Sequence, residues 1–187
     1  MKTIKHLSFA IVLALATILS SCSKSDSGSG SGAPATGTYI LAKVDGVNFT
    51  TVYAGQNTGG VASKSGTGAG TLVQILGTSI SNVSSTGADS ANIAINLYGI
   101  TATGTYPVSP ATDGDLLAYT FSPAGSTTGT GTVYSTGECA GSSGTVTITS
   151  FTATQIEGTF AFTGKKSTTC DATKTITNGS FRGVFAN

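Results

Sequence analysis

Residues 144–163 read GTVTITSFTATQIEGTFAFT, and this stretch decides the fold class. Val146 and Ile148 alternate with threonines in its first half, and Phe160 and Phe162 fall at alternate positions in its second half. Side chains of a β-strand point to opposite faces in turn, so this period of two predicts two half-buried strands. The same period recurs along most of the chain, and we find no helical periodicity long enough to predict a helix.

Extending this reading predicts about ten short strands, near residues 38–44, 47–54, 71–80, 91–99, 103–106, 116–121, 130–135, 144–151, 156–163 and 174–185. Short strands at this spacing predict an all-β domain, an antiparallel β-sandwich, with a closed up-and-down, lipocalin-like barrel as the alternative. Asp45-Gly46 predicts a two-residue hairpin turn, and Asn178-Gly179 predicts a bulge inside the last strand. Gly59 to Gly70 is rich in Gly and Ser, and we interpret it as a loop.

The first 21 residues have the features of a bacterial signal peptide. Lys2 and Lys5 form a positive start, and the apolar run that follows is too short to span a bilayer comfortably. Leu19-Ser-Ser-Cys22 resembles the lipobox of bacterial lipoproteins. The resemblance implies cleavage before Cys22 and lipidation of that cysteine, which becomes the link to a membrane.

Three segments follow from this assignment. Residues 1–21 are the lipoprotein signal peptide, residues 22–36 are the acylated cysteine with a flexible Gly/Ser tether, and residues 37–187 are a single all-β domain. We therefore expect a protein of the cell envelope, anchored to the outer membrane through its N-terminal lipid. Only Asp26 follows the cysteine as an acidic residue in the tether, so periplasmic and surface-facing orientations both stay open.

Charge and residue types exclude several functions. The chain has 9 basic and 8 acidic residues, and cleavage removes two of the basic ones, so no basic surface for nucleic acid is expected. The only histidine is His6, in the signal peptide. The mature chain then lacks His-based catalysis and His metal ligands, and we expect no enzyme activity and no cofactor.

Cys139 and Cys170 are expected to form a disulfide, because exported proteins fold in an oxidising compartment. Each precedes a predicted strand, at 144–151 and 174–185, with the strand at 156–163 running back between them. In such a meander the starts of the first and third strands lie at the same end. Two free buried thiols are the alternative.

Two further motifs are candidates for a metal site and for a glycosylation site. Asp113-Gly114-Asp115 could contribute carboxylates to a Ca²⁺ site, but it lacks the other oxygen ligands of a recognised loop, and a solvated turn is the simpler interpretation. Asp89-Ser90-Ala91 matches the short acceptor motif of Bacteroidetes O-glycosylation systems, which makes Ser90 a candidate for glycosylation. An ordinary turn before a strand explains the same residues.

Several strand and turn patterns resemble a family of small Bacteroidetes lipoproteins of unknown function. They are Ala42–Phe49, Gly104–Pro107, Gly144–Phe151, Ile156–Phe162 and Thr175–Phe181, and the resemblance spans most of residues 38–185. It implies an all-β extracytoplasmic domain and no known reaction. We expect a non-catalytic binding or accessory module with an unidentified ligand or protein partner, and a structural or adhesive envelope protein is the alternative. Residues 59–70 and 107–115 are the segments expected to carry binding.

Overall fold

The computed structural model describes residues 36–53, 56–57, 59–85, 87–112, 114–126 and 131–186. These residues form short antiparallel strands and one 3-10 helix, Gly68–Gly70. The strands are β1 (Tyr39–Val44), β2 (Val47–Thr50), β3 (Val52–Tyr53), β4 (Gln56–Asn57), β5 (Gly60–Ser65), β6 (Leu72–Ser84), β7 (Gly87–Tyr98), β8 (Gly104–Val108), β9 (Leu116–Ser122), β10 (Thr132–Ser135), β11 (Ser143–Phe151), β12 (Gln155–Lys166) and β13 (Thr173–Val184).

Eleven of these strands form one sheet, and nine of them follow one another in the order β2-β1-β13-β12-β10-β9-β7-β6-β5. β11 pairs with β12, β8 pairs with β11, and β3 pairs separately with β4. The sheet curls into a half-barrel, so strands from its two halves face each other across one core. The prediction of an antiparallel all-β domain is confirmed. The two layers expected of a β-sandwich are the two halves of a single curled sheet.

The core is the concave side of the curled sheet. Alternate residues of β7 and β12 point into it, among them Ile93, Ile95 and Phe160, each at most 4% exposed. The alternation of apolar and polar residues along each strand therefore becomes an inner and an outer face. Burial of this apolar surface provides most of the stability of the fold.

The two predicted backbone features are present. Asp45 (φ 48°) and Gly46 (φ 85°) both adopt the left-handed conformation of a two-residue hairpin turn, with Val44 paired to Val47 across it. In β13 the pairing with β12 slips by one residue near Asn178, which has a φ of 52°. This bulge restores the inward phase of the strand after the Asn-Gly pair.

One segment differs from the sequence prediction. Residues 60–65 form strand β5 and pair with β6 from Gly60↔Gly77 to Ser65↔Leu72, so the expected Gly/Ser loop is limited to its last residues. Small residues have little intrinsic preference for strands. Here the open edge of β6 supplies backbone partners, and Ala62 packs into the core at 8% exposure. Tertiary pairing thus overrides local propensity.

The outer side of β5, β6, β7 and β9 carries no charged group at its outward strand positions. We call this surface the neutral face. It contains Val61, Ser63, Ser65, Leu72, Gln74, Leu76, Thr78, Ile80, Ser90, Asn92, Ala94, Asn96, Tyr98, Leu116, Ala118, Thr120 and Ser122. The outer side of the other half differs, because β1, β12 and β13 present Lys43, Glu157 and Arg182 there.

Candidate functional site

A cleft of about 380 Å³ opens at one end of the half-barrel. Two hairpin tips form its walls, the β1–β2 turn on one side and the β6–β7 end on the other, and β9 and the start of β13 lie between them. The lining residues are Val44, Asp45, Val47, Asn48, Phe49, Ser79, Ser81, Asn82, Asp89, Ala91, Tyr119, Phe121 and Lys174. We refer to this feature as the cleft.

The cleft exists because the inward side chains become smaller towards this end of the sheet. On β7 the inward positions change from Ile95 and Ile93 to Ala91 and Asp89. On β6 the same change replaces valine and isoleucine by Gly77 and two serines. Bulky side chains fill the core further along the strands, and the smaller ones leave space where the sheet curls open.

Aromatic rings form the floor of the cleft, and an exposed valine stands at its rim. Phe49 and Tyr119 are 5% and 7% exposed, so they present only part of their rings to the cleft. Val47, at the tip of the β1–β2 hairpin, lines the cleft and is 72% exposed. Exposed apolar groups around a concave site are typical of surfaces that bind a ligand or partner.

An ion pair crosses one wall of the cleft. Lys174 Nζ lies 2.7 Å from Asp45 Oδ2, and the backbone N–H of Thr175 donates to Asp45 Oδ1 at 2.9 Å. The Lys174 hydrogen bond lowers the pKa of Asp45, and the same contact raises the pKa of Lys174. Both groups therefore stay charged at neutral pH and neutralise each other.

The second carboxylate of the cleft, Asp89, is held by two hydrogen bonds. Asn82 Nδ2 donates to its Oδ2 at 2.6 Å, and the backbone N–H of Ala124 donates to its Oδ1 at 2.7 Å. The Asn82 bond is the main reason that the pKa of Asp89 is lowered. A general acid needs a carboxyl group whose pKa is raised, so neither carboxylate of the cleft has that property.

The predicted disulfide is present. Cys139 and Cys170 are joined with an S–S distance of 2.02 Å and a Cα–Cα distance of 5.7 Å. β11, β12 and β13 form the predicted meander, so the two cysteines meet at one end of it. Cys170 lies three residues before β13 and four before Lys174, so the bond also restrains the segment that leads into the cleft. Cys22 lies outside the described residues.

The other candidate site residues lie apart from one another. Ser90 lies inside β7, paired with Ile80 on one side and Ser122 on the other, and it faces away from the cleft. Asp115 accepts a hydrogen bond from the backbone N–H of Tyr98 at 2.7 Å, and burial raises its pKa. Asp113 lies outside the described residues. Across the described ranges, no three His, Cys, Asp or Glu side chains come close enough together to hold a metal ion.

The described residues of 59–70 and 107–115, the two segments expected to carry binding, do not line the cleft. Residues 64–71 help to line a smaller groove of about 230 Å³ together with Ile100 and Phe151. Residues 109–112 form a turn closed by hydrogen bonds between Ser109 and Thr112. Sequence reasoning missed the cleft, although the change from isoleucine to alanine and aspartate along β7 was a usable signal.

No helix in the described part of the chain has the length and apolarity needed to cross a membrane.

Comparison with known proteins identifies one family. A family model described as a domain of unknown function, DUF6252, matches residues 77–185, more than half of the chain. The match runs from the middle of β6 through β13, so it includes one wall of the cleft and the disulfide. No curated protein and no solved structure matches the chain.

Proposed function

Since this chain belongs to the DUF6252 family, which has no assigned function, we propose a function from its own cleft. The protein is a lipid-anchored envelope protein that binds an uncharged ligand in the cleft and catalyses no reaction. The observation that carries this proposal is the combination of a concave site, aromatic floor and exposed apolar rim at one end of the fold.

The charges of the cleft define the class of ligand. Asp45 and Lys174 neutralise each other, and both oxygens of Asp89 accept hydrogen bonds from the protein. An anionic ligand would meet the negative charge that Asp89 retains, and to reach a cation it would have to break the Asp45–Lys174 pair, which is costly. An uncharged ligand with an apolar face and hydroxyl groups can contact the rings and bind the serine and asparagine side chains without that cost.

The anchor fits this arrangement. Lipid on Cys22 would hold the chain at the outer membrane, with the domain joined to it through the Gly/Ser segment. The described domain begins just before Tyr39, whereas Val44, at the other end of β1, lines the cleft. At 3.3 Å per residue the two ends of β1 are about 17 Å apart. The cleft therefore opens at the end of β1 opposite to the one where the described chain begins.

A matched pair of probes tests the ligand class. We suggest titrating the full chain, reconstituted in phospholipid nanodiscs, with phenyl β-glucoside and with its anionic analogue phenyl β-glucuronide. The proposal predicts saturable heat of binding for the neutral compound and none for the anion at the same concentration.

Two variants locate the site. Ala91→Phe fills the cleft and should abolish binding of the glucoside. Ala161→Phe adds the same ring to an exposed position on the outer side of β12 and should leave binding unchanged. Equal binding by the Ala91→Phe chain would place the ligand elsewhere, and the absence of saturable binding to any neutral compound of a broad glycan and lipid panel would refute the proposal.

A further inference from the structure

We propose that the neutral face is a self-association surface, on which two copies of this chain stack about a two-fold axis parallel to β6 and β7. This inference is independent of the cleft, which lies on the concave side of the same strands. The axis runs between β6 and β7. Rotation about it places each outward residue of β6 over β7 of the second copy, opposite the residue that is its cross-strand partner within one chain. Isologous contacts of this kind are the usual basis of homodimers.

The charge distribution selects this partner. The neutral face carries no charge, so a copy of itself meets no like-charge repulsion, and no charged group is buried without a partner. A charged partner would lose hydration at this surface and gain no counter-charge. The other half of the sheet presents Lys43, Glu157 and Arg182 outward, so the absence of charge is specific to this face.

Hydrogen bonding is also self-complementary. Thr78 Oγ1 donates to Asn92 Oδ1 at 2.7 Å, and Gln74 Nε2 donates to Asn96 Oδ1 at 3.5 Å, so two polar rows cross β6 and β7. In the proposed arrangement each row meets the same row of the second copy. Amide groups both donate and accept, so they can pair with their own kind.

Shape supports the same axis. Leu76 is 43% exposed and stands next to Ala94, its partner in the β6–β7 register. A shallow groove of about 420 Å³ passes over Ala94, between Leu76, Asn96 and Val61. Rotation about the axis places Leu76 of each copy over Ala94 of the other, which is a large side chain against a small one. Close packing of this kind is typical of sheets stacked face to face.

The area is sufficient for a weak dimer. Four strands about 4.8 Å apart, each contributing about 25 Å of length, cover roughly 500 Å² per copy. The total of about 1,000 Å² reaches the lower limit of specific interfaces. Attachment of both copies to one membrane would raise their effective concentration and favour such an interface.

Cysteine cross-linking in membranes tests the arrangement. Ala94→Cys lies next to the axis, and Ala161→Cys is a matched control on the opposite outer surface. We suggest treating membranes that contain each full chain with a short bis-maleimide and separating the products on non-reducing gels. Ala94→Cys should give a covalent dimer. Ala161→Cys should give no more dimer than the unsubstituted chain, which measures any cross-linking through the native cysteines.

A second substitution separates contact from chance collision. Leu76→Lys places a charge in the centre of the neutral face and should lower the Ala94→Cys dimer yield by about tenfold or more, since a buried unpaired charge weakens association strongly. Equal yields from Ala94→Cys and Ala161→Cys would overturn the proposal. A second result would also overturn it. If the monomeric chain were retained on a neutral polysaccharide such as amylose, and Leu76→Lys abolished that retention, the neutral face would be a glycan-binding surface.

Discussion

Lys174 Nζ lies 2.7 Å from Asp45 Oδ2, although the two residues are 129 positions apart in the chain. The contact joins the start of β13 to the β1–β2 turn. Thr175 extends it, since its backbone N–H donates to Asp45 and its carbonyl accepts from the N–H of Asp45. The turn is thus fixed to the strand that follows the disulfide, and one wall of the cleft is held in place.

We expect Asp45→Asn to reduce the free energy of unfolding by less than about 1 kcal/mol, because exposed ion pairs contribute little. The side chains of Lys174 and Asp45 are 34% and 44% exposed, so solvent screens their attraction. Urea unfolding at neutral pH, followed by circular dichroism, would measure the difference. Lys43→Gln, an exposed lysine on the outer side of β1, serves as the control for a simple change of charge.

The difference in the free energy of unfolding between the unsubstituted chain and the Asp45→Asn variant should depend on pH in a defined direction. The pKa of Asp45 is lowered in the folded state, so its contribution is complete above the unfolded value of about 3.9 and is lost as the pH falls through the folded value. The pKa of Lys174 is raised, so its contribution is complete below about 10.4 and is lost as the pH rises further. A stability difference that stays constant from neutral pH to strongly acidic conditions would contradict the assignment.

Reduction of the Cys139–Cys170 bond, or its replacement by two alanines, should lower the free energy of unfolding by about 3–4 kcal/mol in the chain-entropy account of disulfides. The two cysteines are 31 positions apart, so the bond restrains a loop of moderate length in the unfolded chain. Denaturation with and without reductant would measure the effect. Recovery of both cysteines as free thiols from freshly isolated protein would show that the bond does not form in the cell.

Gly158→Ala should destabilise the fold by about 1–3 kcal/mol through overpacking. A Cβ atom at residue 158 would lie 2.2 Å from the Thr147 carbonyl oxygen and 2.8 Å from Phe181 Cζ, so the β11–β12 pair or the Phe181 ring must move. Gly70→Ala is the matched control, because a Cβ atom at that position meets nothing within 4 Å. Equal thermal midpoints for the two variants would contradict the packing described here.

Cys22→Ala should release the protein from membranes or leave its signal peptide uncleaved, because lipidation requires the cysteine thiol. Fractionation of cells into soluble and membrane pools, with intact-mass measurement of the mature chain, would test this. Cys139→Ala leaves the lipobox intact and should still give an acylated chain. A Cys22→Ala protein that still appears in acylated, mature form would refute the lipid anchor.

The local patterns of the sequence identify most of the strands. Each of the ten predicted strand regions overlaps an observed strand, because the period of two, as in β11 and β12, directly reflects which face is buried. The Asp45-Gly46 turn and the Asn178-Gly179 bulge were also predictable, since both depend on residues that tolerate a left-handed conformation. β5 was missed because its small residues form a strand only when the edge of β6 is present.

The cleft could not be located in the same way. Its walls come from Asp45, Ala91, Tyr119 and Lys174, which lie in four different strands or turns, and only the curl of the sheet brings them together. The two segments chosen from the sequence, 59–70 and 107–115, have turn-forming composition, which reports local flexibility and not proximity to a concave surface.

The sequence by itself determined the all-β class, the position of most strands, the Asp45-Gly46 turn and the Asn178-Gly179 bulge. These features depend on alternation and on residue types within a few positions, which are local properties of the chain. The tertiary structure alone decided the single curled sheet, strand β5, the cleft with its Asp45–Lys174 pair and the neutral face. These depend on how far the sheet curls and which distant strands become neighbours, and the free energy of that arrangement comes from packing across the core.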